Sequence, residues 1–199
     1  LSQLKITLFS NSNILILGIF AGNVQVGYFS SAEKIIRTLA SLQTPIVNTM
    51  FPYISKNIKT DPLKIIAQIY KVAKIGSWCY LIIILGVFAS AEYIVEIMFG
   101  ELLKDVVIAL RIILIVPLLV FLNNLFGTQI LLNLGKDKAF FLVLLFTATL
   151  NLIFIFPLTY FYGYIGTSIS MVFAEAFLFL GMFIYAKREI KSLSMKKRI

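Results

Sequence analysis

The chain has 199 residues, 60% of them hydrophobic and 14% charged, with a net charge of +9. Soluble domains run nearer roughly 45–50% apolar and 25% charged, so a water-soluble fold of this length would have to wear an apolar surface. The basic residues sit between and after the apolar runs rather than on one soluble face. That sets nucleic acid aside and points to membrane lipids with an anionic cytoplasmic leaflet.

The first expected helix covers 4–21 and ends at Gly22-Asn23, a turn signal. A turn at 33–37 is the alternative. It is less favoured because Ser31-Ala-Glu-Lys-Ile-Ile-Arg-Thr-Leu39 holds neither Gly nor Pro and reads as helix. The second helix is therefore 26–54, which places charges inside the membrane.

The third helix covers 72–99. The Lys-rich stretch 56–75, which runs into it, carries Leu63, Ile66, Ile69 and Tyr70 at helical spacing, and reads as a segment lying along the membrane surface. The fourth helix is 106–134. The uncharged run 139–174 is too long for one crossing, which takes about 20 residues. Its Tyr160-Phe-Tyr-Gly-Tyr-Ile-Gly166 stretch supplies a break, giving helices at 138–162 and 165–186. A basic tail, 187–199, follows. Only helices suit such runs, because backbone groups in lipid must bond within their own segment. The fold class is all-α, a polytopic membrane protein of about six helices.

Lys5, then Lys56, Lys59, Lys64, Lys71 and Lys74, then Lys136 and Lys138, then the tail from Lys187 fall on one side. On the opposite side, 22–25 and 162–164 are uncharged and 101–105 holds Glu101, Lys104 and Asp105. By the positive-inside rule both ends are cytoplasmic. The chain opens Leu1-Ser2-Gln3, and is expected to be the C-terminal part of a longer protein.

The second helix carries most of the information. At about 100° per residue, Gly27, Ser30, Ser31, Lys34, Arg37, Thr38, Ser41, Thr44, Pro45, Asn48, Thr49 and Pro52 share one arc. Ala32, Ile35, Ile36, Leu39, Ile46, Val47 and Met50 lie opposite. Two readings stand side by side. In one, Glu33 and Arg37 form an i,i+4 pair and Lys34 snorkels outward. In the other, the stripe lines a hydrated cavity, and Lys34 and Arg37, with Ser41 and Asn48, hold an anionic substrate. The length of the stripe favours the second, since one ion pair does not call for polar residues two turns further on.

Elsewhere, Arg111 either snorkels from the fourth helix or joins the cavity. Asn11, Asn13, Asn123, Asn124, Thr128, Gln129, Asn133 and Asn151 either line the cavity or bond neighbouring helices. Glu175, near the middle of the sixth helix, is paired, protonated or a coupling-ion site. Glu92 and Glu96 read as interfacial, and Trp78 and Cys79 as packing residues.

With one cysteine no intrachain disulfide forms, and without histidine no His-type metal site is expected. No Walker motif, GxSxG or paired soluble carboxylates are present. The expectation is a secondary transporter rather than an enzyme, with no cofactor beyond a coupling proton or Na+.

Several stretches, in this order, resemble a known family. Asn13-Ile-Leu-Ile-Leu-Gly18, Val26-Gly-Tyr-Phe-Ser-Ser-Ala-Glu-Lys34 and Phe51-Pro-Tyr-Ile-Ser-Lys56 are similar to its seventh and eighth helices. Gly127-Thr-Gln-Ile-Leu-Leu-Asn-Leu-Gly-Lys136 is similar to its tenth helix and the turn after it. Asn151-Leu-Ile-Phe-Ile-Phe-Pro157 and Tyr162-Gly-Tyr-Ile-Gly-Thr-Ser-Ile-Ser170, with Glu175, are similar to its last two. The family is the O-antigen and capsule flippases (Wzx type), within the multidrug/oligosaccharidyl-lipid/polysaccharide, MATE-like exporter superfamily.

The resemblance implies two six-helix lobes around a central cavity, this chain being the C-terminal lobe and an N-terminal lobe its partner. It implies a bacterial inner-membrane protein that flips undecaprenyl-diphosphate-linked oligosaccharide. Lys34 and Arg37, and less directly Arg111, would meet the diphosphate. Polysaccharide polymerase and glycosyltransferases are the further partners it suggests. A multidrug exporter of the same superfamily and a non-transporting membrane scaffold are the competing functions.

Overall fold

The computed structural model describes residues 2–196, with side chains for 12–195. The side chains of Lys5, Asn11, Lys196, Lys197 and Arg198, which entered the orientation and cavity readings, lie outside the described residues. Every regular element among the described residues is helical: α1 Ser2–Ser41, α2 Thr44–Asn57, α3 Pro62–Ala89, α4 Ala91–Phe99, α5 Lys104–Ile113, α6 Val116–Asn123, a π-helical segment Asn124–Leu132, and α7 Asp137–Lys196. This is a polytopic membrane protein.

Among the described residues, four helices are long and apolar enough to cross a membrane: Ser12–Ser41, Pro62–Ala89, Lys104–Leu132 and Asp137–Met195. Two of the four fold back on themselves. Gly22 adopts φ 80° and ψ 174° inside α1, and Gly163 adopts φ 54° and ψ −131° inside α7. A side chain is strained at such positive φ, so glycine is the residue that allows each reversal. The α7 reversal is tight. Thr159 and Thr167 bring their hydroxyl oxygens to 2.9 Å, although eight residues of straight helix would span about 12 Å. Gly166 lies against the Leu158 carbonyl, where any Cβ would overlap it.

With these reversals the chain runs in arms 2–21, 23–57, 62–99, 104–132, 137–162 and 164–196.

The two ends of the bundle have separate apolar cores. One gathers Ile54, Ile58, Ile65, Ile66, Ile69, Leu131, Phe140 and Ala186, with Ile190 and Leu193 packed on it. The other gathers Leu17, Phe29, Ile36, Val95, Val107, Leu110 and Tyr164. The glycine-turn end is also pinned by polar bonds. Gln25 Oε1 accepts from the Tyr164 backbone N–H at 2.9 Å. The Tyr164 hydroxyl donates to Asp105 Oδ1 at 2.7 Å. One tyrosine thus holds the turns at Gly22 and Gly163 and the start of α5 together. Large apolar side chains such as Trp78, Ile82, Leu85, Phe146, Ile153 and Phe161 point outward, as a lipid-facing belt requires.

From Pro62 onward the stretch 56–75 is continuous with the third helix. Asp61 caps α3 by accepting from the Lys64 backbone N–H at 3.4 Å, with Pro62 in the first turn. From there the helix runs unbroken to Ala89, burying Ile65, Ile66, Ile69 and Ala73 on one side. A helix without a bend cannot lie flat on a membrane and also cross it. The third arm therefore starts about ten residues before the expected position 72. The tail is helical too, continuing α7 to Lys196, because Ile190 and Leu193 dock on the same core.

Candidate functional site

The arm after Gly22 presents its polar stripe outward from the chain. Lys34, Arg37, Thr38, Ser41, Thr44, Pro45, Asn48, Thr49 and Pro52 are all exposed, while Ala32, Ile35 and Ile36 are buried. The arm bends at Leu42-Gln43, and Pro45 lies in the first turn of α2. The bend turns Ile46 outward as well, so the apolar face of the stripe is less continuous than a straight helix predicts.

An open groove of about 540 Å³ runs along this arm, lined by Ile14, Ser30, Glu33, Lys34, Arg37, Thr38 and Ser41. It falls within the size range of small-molecule pockets, about 300–1,000 Å³. Arg37 Nη2 donates to Glu33 Oε1 at 3.1 Å. The carboxylate side chain is only 3% exposed and the guanidinium 45%. The anion is thus sunk in the wall while the cation faces out. Lys34 has no ion-pair partner among the described residues. Glu33 neutralises one of the two cations, so the groove keeps a net single positive charge. Thr38 and Ser41 direct their hydroxyls to the backbone carbonyls of Lys34 and Thr38. They can still accept from a ligand, since a hydroxyl oxygen has lone pairs left after donating.

The ion pair of the first reading is present beside the groove residues of the second. The Glu33–Arg37 pair forms, and it sits inside a cationic groove.

Of the candidate residues, Lys34, Arg37 and Ser41 come together. Asn48 shares the exposed face but lies past the bend, outside the groove. Arg111 is elsewhere. Its Nη2 donates to Glu92 Oε1 at 3.2 Å, and its guanidinium lies 5.2 Å from the centre of the Phe88 ring. Glu175 also lies outside the groove. Its Oε2 accepts from Asn123 Nδ2 at 2.7 Å.

Other buried polar groups join arms to one another. Asn151 donates to Asn13 at 3.5 Å and accepts from Ser170 at 2.8 Å. Asn124 donates to Gln43 Oε1 at 3.0 Å, and Gln129 donates to the Val47 carbonyl at 3.0 Å. Gln43 was not singled out from the sequence, because nothing in its neighbourhood announces that it faces another helix. Among the described residues no group of three or more Cys, Asp or Glu is placed to hold a metal ion.

The sequence pattern of a family described as polysaccharide biosynthesis protein matches residues 1–108, more than half of the chain. The chain belongs to this family. Two relatives carry the name "Putative O-antigen transporter". One, from Escherichia coli strain K12, is 31% identical over 191 residues, covering 94% of this chain and 45% of the relative. The other, from Shigella dysenteriae, is 25% identical over 189 residues, covering 92% and 45%. The chain thus spans about half the length of the curated relatives it matches. No solved structure matches it.

Proposed function

We propose that this chain is one lobe, the C-terminal one, of a two-lobe MATE-like transporter in the bacterial cytoplasmic membrane. All six arms cross the membrane in this reading, with the basic loops and both ends of the segment in the cytoplasm. The whole protein moves undecaprenyl-diphosphate-linked oligosaccharide from the inner to the outer leaflet for O-antigen or other surface polysaccharide. It acts as a secondary transporter, without chemistry on its substrate.

One observation supports this reading above the others. The face that the second arm turns away from its own lobe carries Lys34, Arg37, Thr38, Ser41, Thr44, Asn48 and Thr49, with Leu42 and Ile46 between them, and lipid is a poor neighbour for so many polar groups. An unpaired Lys at such a position costs about 2.5–3.5 kcal/mol in hydrocarbon, so a watery passage between two lobes is the better setting. Lys34 and the outward guanidinium of Arg37 suit a diphosphate, which Arg can grip with parallel N–H bonds. The polyprenyl tail stays in lipid while the headgroup crosses, by alternating access of the two lobes.

The test uses the full-length protein in a strain lacking its own copy. Lys34→Ala should cut surface polysaccharide by about tenfold or more, the loss of one charge-assisted contact, with lipid-linked repeat units accumulating and membrane protein level unchanged. Arg37 is tested as Glu33→Gln with Arg37→Gln, because Arg37→Ala alone would strand a buried carboxylate. Normal polysaccharide in both variants would reject the groove as the substrate path. Normal polysaccharide with new drug sensitivity would point to a multidrug exporter instead.

A further inference from the structure

The exposed face of the second arm continues past the groove and past the bend at Leu42-Gln43. It runs through Asn48 and Thr49 to the lysine-rich end of the bundle. Tyr53 of α2 follows Thr49 by one turn and precedes Lys56 by one. Ile54 and Ile58 hold this end of α2 on the core, and Ile65, Ile66 and Ile69 hold the start of α3 on it. Tyr53 and Gln68 are left exposed where the two helices meet. The Tyr53 hydroxyl donates to Gln68 Oε1 at 3.4 Å.

Both side chains have binding capacity to spare. Tyr53 is 52% exposed, and no other aromatic ring packs on it among the described residues. Tyr70, by contrast, has its ring against Phe126 at 5.5 Å. Gln68 Nε2 has no partner among the described residues, so two N–H donors stand open. Lys64 and Lys71 lie one turn before and one turn after Gln68 on the same exposed face of α3. None of the ion pairs among the described residues includes either lysine. Neither α2 nor α3 holds an Asp or Glu, and Asp61 directs its carboxylate to the Lys64 backbone N–H. Lysines at this end follow from the positive-inside rule and by themselves call for no ligand. An open aromatic face joined to an open amide does not follow from that rule.

We infer, resting on the oligosaccharide reading proposed for the groove, that Tyr53 and Gln68, flanked by Lys64 and Lys71, form a saccharide subsite for an acidic sugar, one that carries a carboxylate. A pyranose has a face of C–H groups and a rim of hydroxyls. The face stacks on the Tyr53 ring, whose own face is negative. The rim accepts from the two Gln68 N–H groups, and the carboxylate takes a charge-assisted bond from a flanking lysine. Ser41, at the end of the groove, stands 12 residues before Tyr53, about 18 Å along the arm at helical rise. A headgroup whose diphosphate lies at Lys34 and Arg37 reaches the subsite with a sugar further along its chain.

The experiment titrates the full-length protein, in a zwitterionic detergent at low ionic strength, with two soluble probes. One is a trimer of galacturonic acid and the other a neutral trimer of glucose, each followed by ligand-observed NMR. The acidic trimer should bind the parent about tenfold or more tighter than the neutral one. Tyr53→Ala and Gln68→Ala should each weaken the acidic trimer by about tenfold. Tyr53→Trp, which keeps a stacking face, should retain it, and Lys34→Ala should leave it within about twofold. Loss in Lys64→Gln with Lys71→Gln, but not in Tyr53→Ala or Gln68→Ala, means charge attraction alone and overturns the subsite. Loss in Lys34→Ala with normal binding in Tyr53→Ala puts the trimer in the groove and overturns it too, as does a parent that binds neither probe. Equal binding of the two trimers overturns the acidic class. Failure of the groove as the substrate path shows separately, as normal surface polysaccharide in Lys34→Ala.

Discussion

Two arginine–glutamate pairs stand along the arms among the described residues, and their bonds hardly differ: 3.1 Å for Arg37–Glu33 and 3.2 Å for Arg111–Glu92. Their surroundings are opposites. In the first, both residues share one helix, the carboxylate is 3% exposed and the guanidinium faces a groove beside the unpaired Lys34. In the second, the residues come from different elements, α5 and α4. The carboxylate is 61% exposed, and the guanidinium lies on the Phe88 ring. The first pair presents a cation to whatever enters the groove. The second uses its cation to tie two helices. An ion-pair distance alone does not separate a binding group from a brace; the burial of the anion does.

Exchanging the partners within each pair sharpens the contrast most. Glu33→Arg with Arg37→Glu keeps an attraction between the two residues but sinks the cation and turns the anion toward the groove. Transport by the full-length protein should fall by about a hundredfold, the size expected when a charged contact is replaced by a repulsive one. Glu92→Arg with Arg111→Glu should leave transport within about twofold of the parent, since a helix tie works in either direction. The measurement is surface polysaccharide at matched membrane expression. Equal losses from the two exchanges would erase the distinction.

Removing the cation alone gives the next largest effect. Arg37→Ala leaves Glu33 buried and uncompensated, at a cost of about 3 kcal/mol by the behaviour of broken buried pairs. Arg111→Ala leaves Glu92 in contact with solvent or headgroups, and should cost about 1 kcal/mol or less. Unfolding of the detergent-solubilised protein would read the difference. Adding Glu33→Gln to Arg37→Ala should recover most of the first loss, because the stranded charge is gone.

Much of this contrast was legible in the sequence, and the remainder was hidden for a physical reason. The stripe and the Glu33–Arg37 spacing are local, set by the 100° step of one helix. The reversals at Gly22 and Gly163 are local too, since glycine stands where the backbone turns. The start of α3 at Pro62 was readable from Asp61-Pro62, a cap followed by a helix-starting residue. The spacing of Leu63, Ile66, Ile69 and Tyr70 within 56–75 instead suggested a separate segment, although the same spacing serves one continuous helix that buries Ile65, Ile66 and Ile69 in a core. The partners of Arg111, Asn13 and Gln43 lie 19, 138 and 81 residues away. Such pairings depend on how arms pack, and no periodicity within one arm encodes them. The bend at Leu42-Gln43 likewise decides that Ser41 joins the groove and Asn48 does not.

The smallest effect probes the brace from its aromatic side. A guanidinium over a ring gains about 0.5–1 kcal/mol at exposed sites, and Phe88 is half exposed, so the lower figure applies. Phe88→Leu keeps an apolar side chain against lipid while removing the ring's negative face. It should lower stability by about 0.5 kcal/mol, and leave transport unchanged. The loss should vanish when Arg111 is already Met, because no cation then remains for the ring to attract. An equal loss in both backgrounds would mean that Phe88 only packs. Glu92 alone would then hold Arg111, and the brace would rest on an exposed ion pair worth close to nothing.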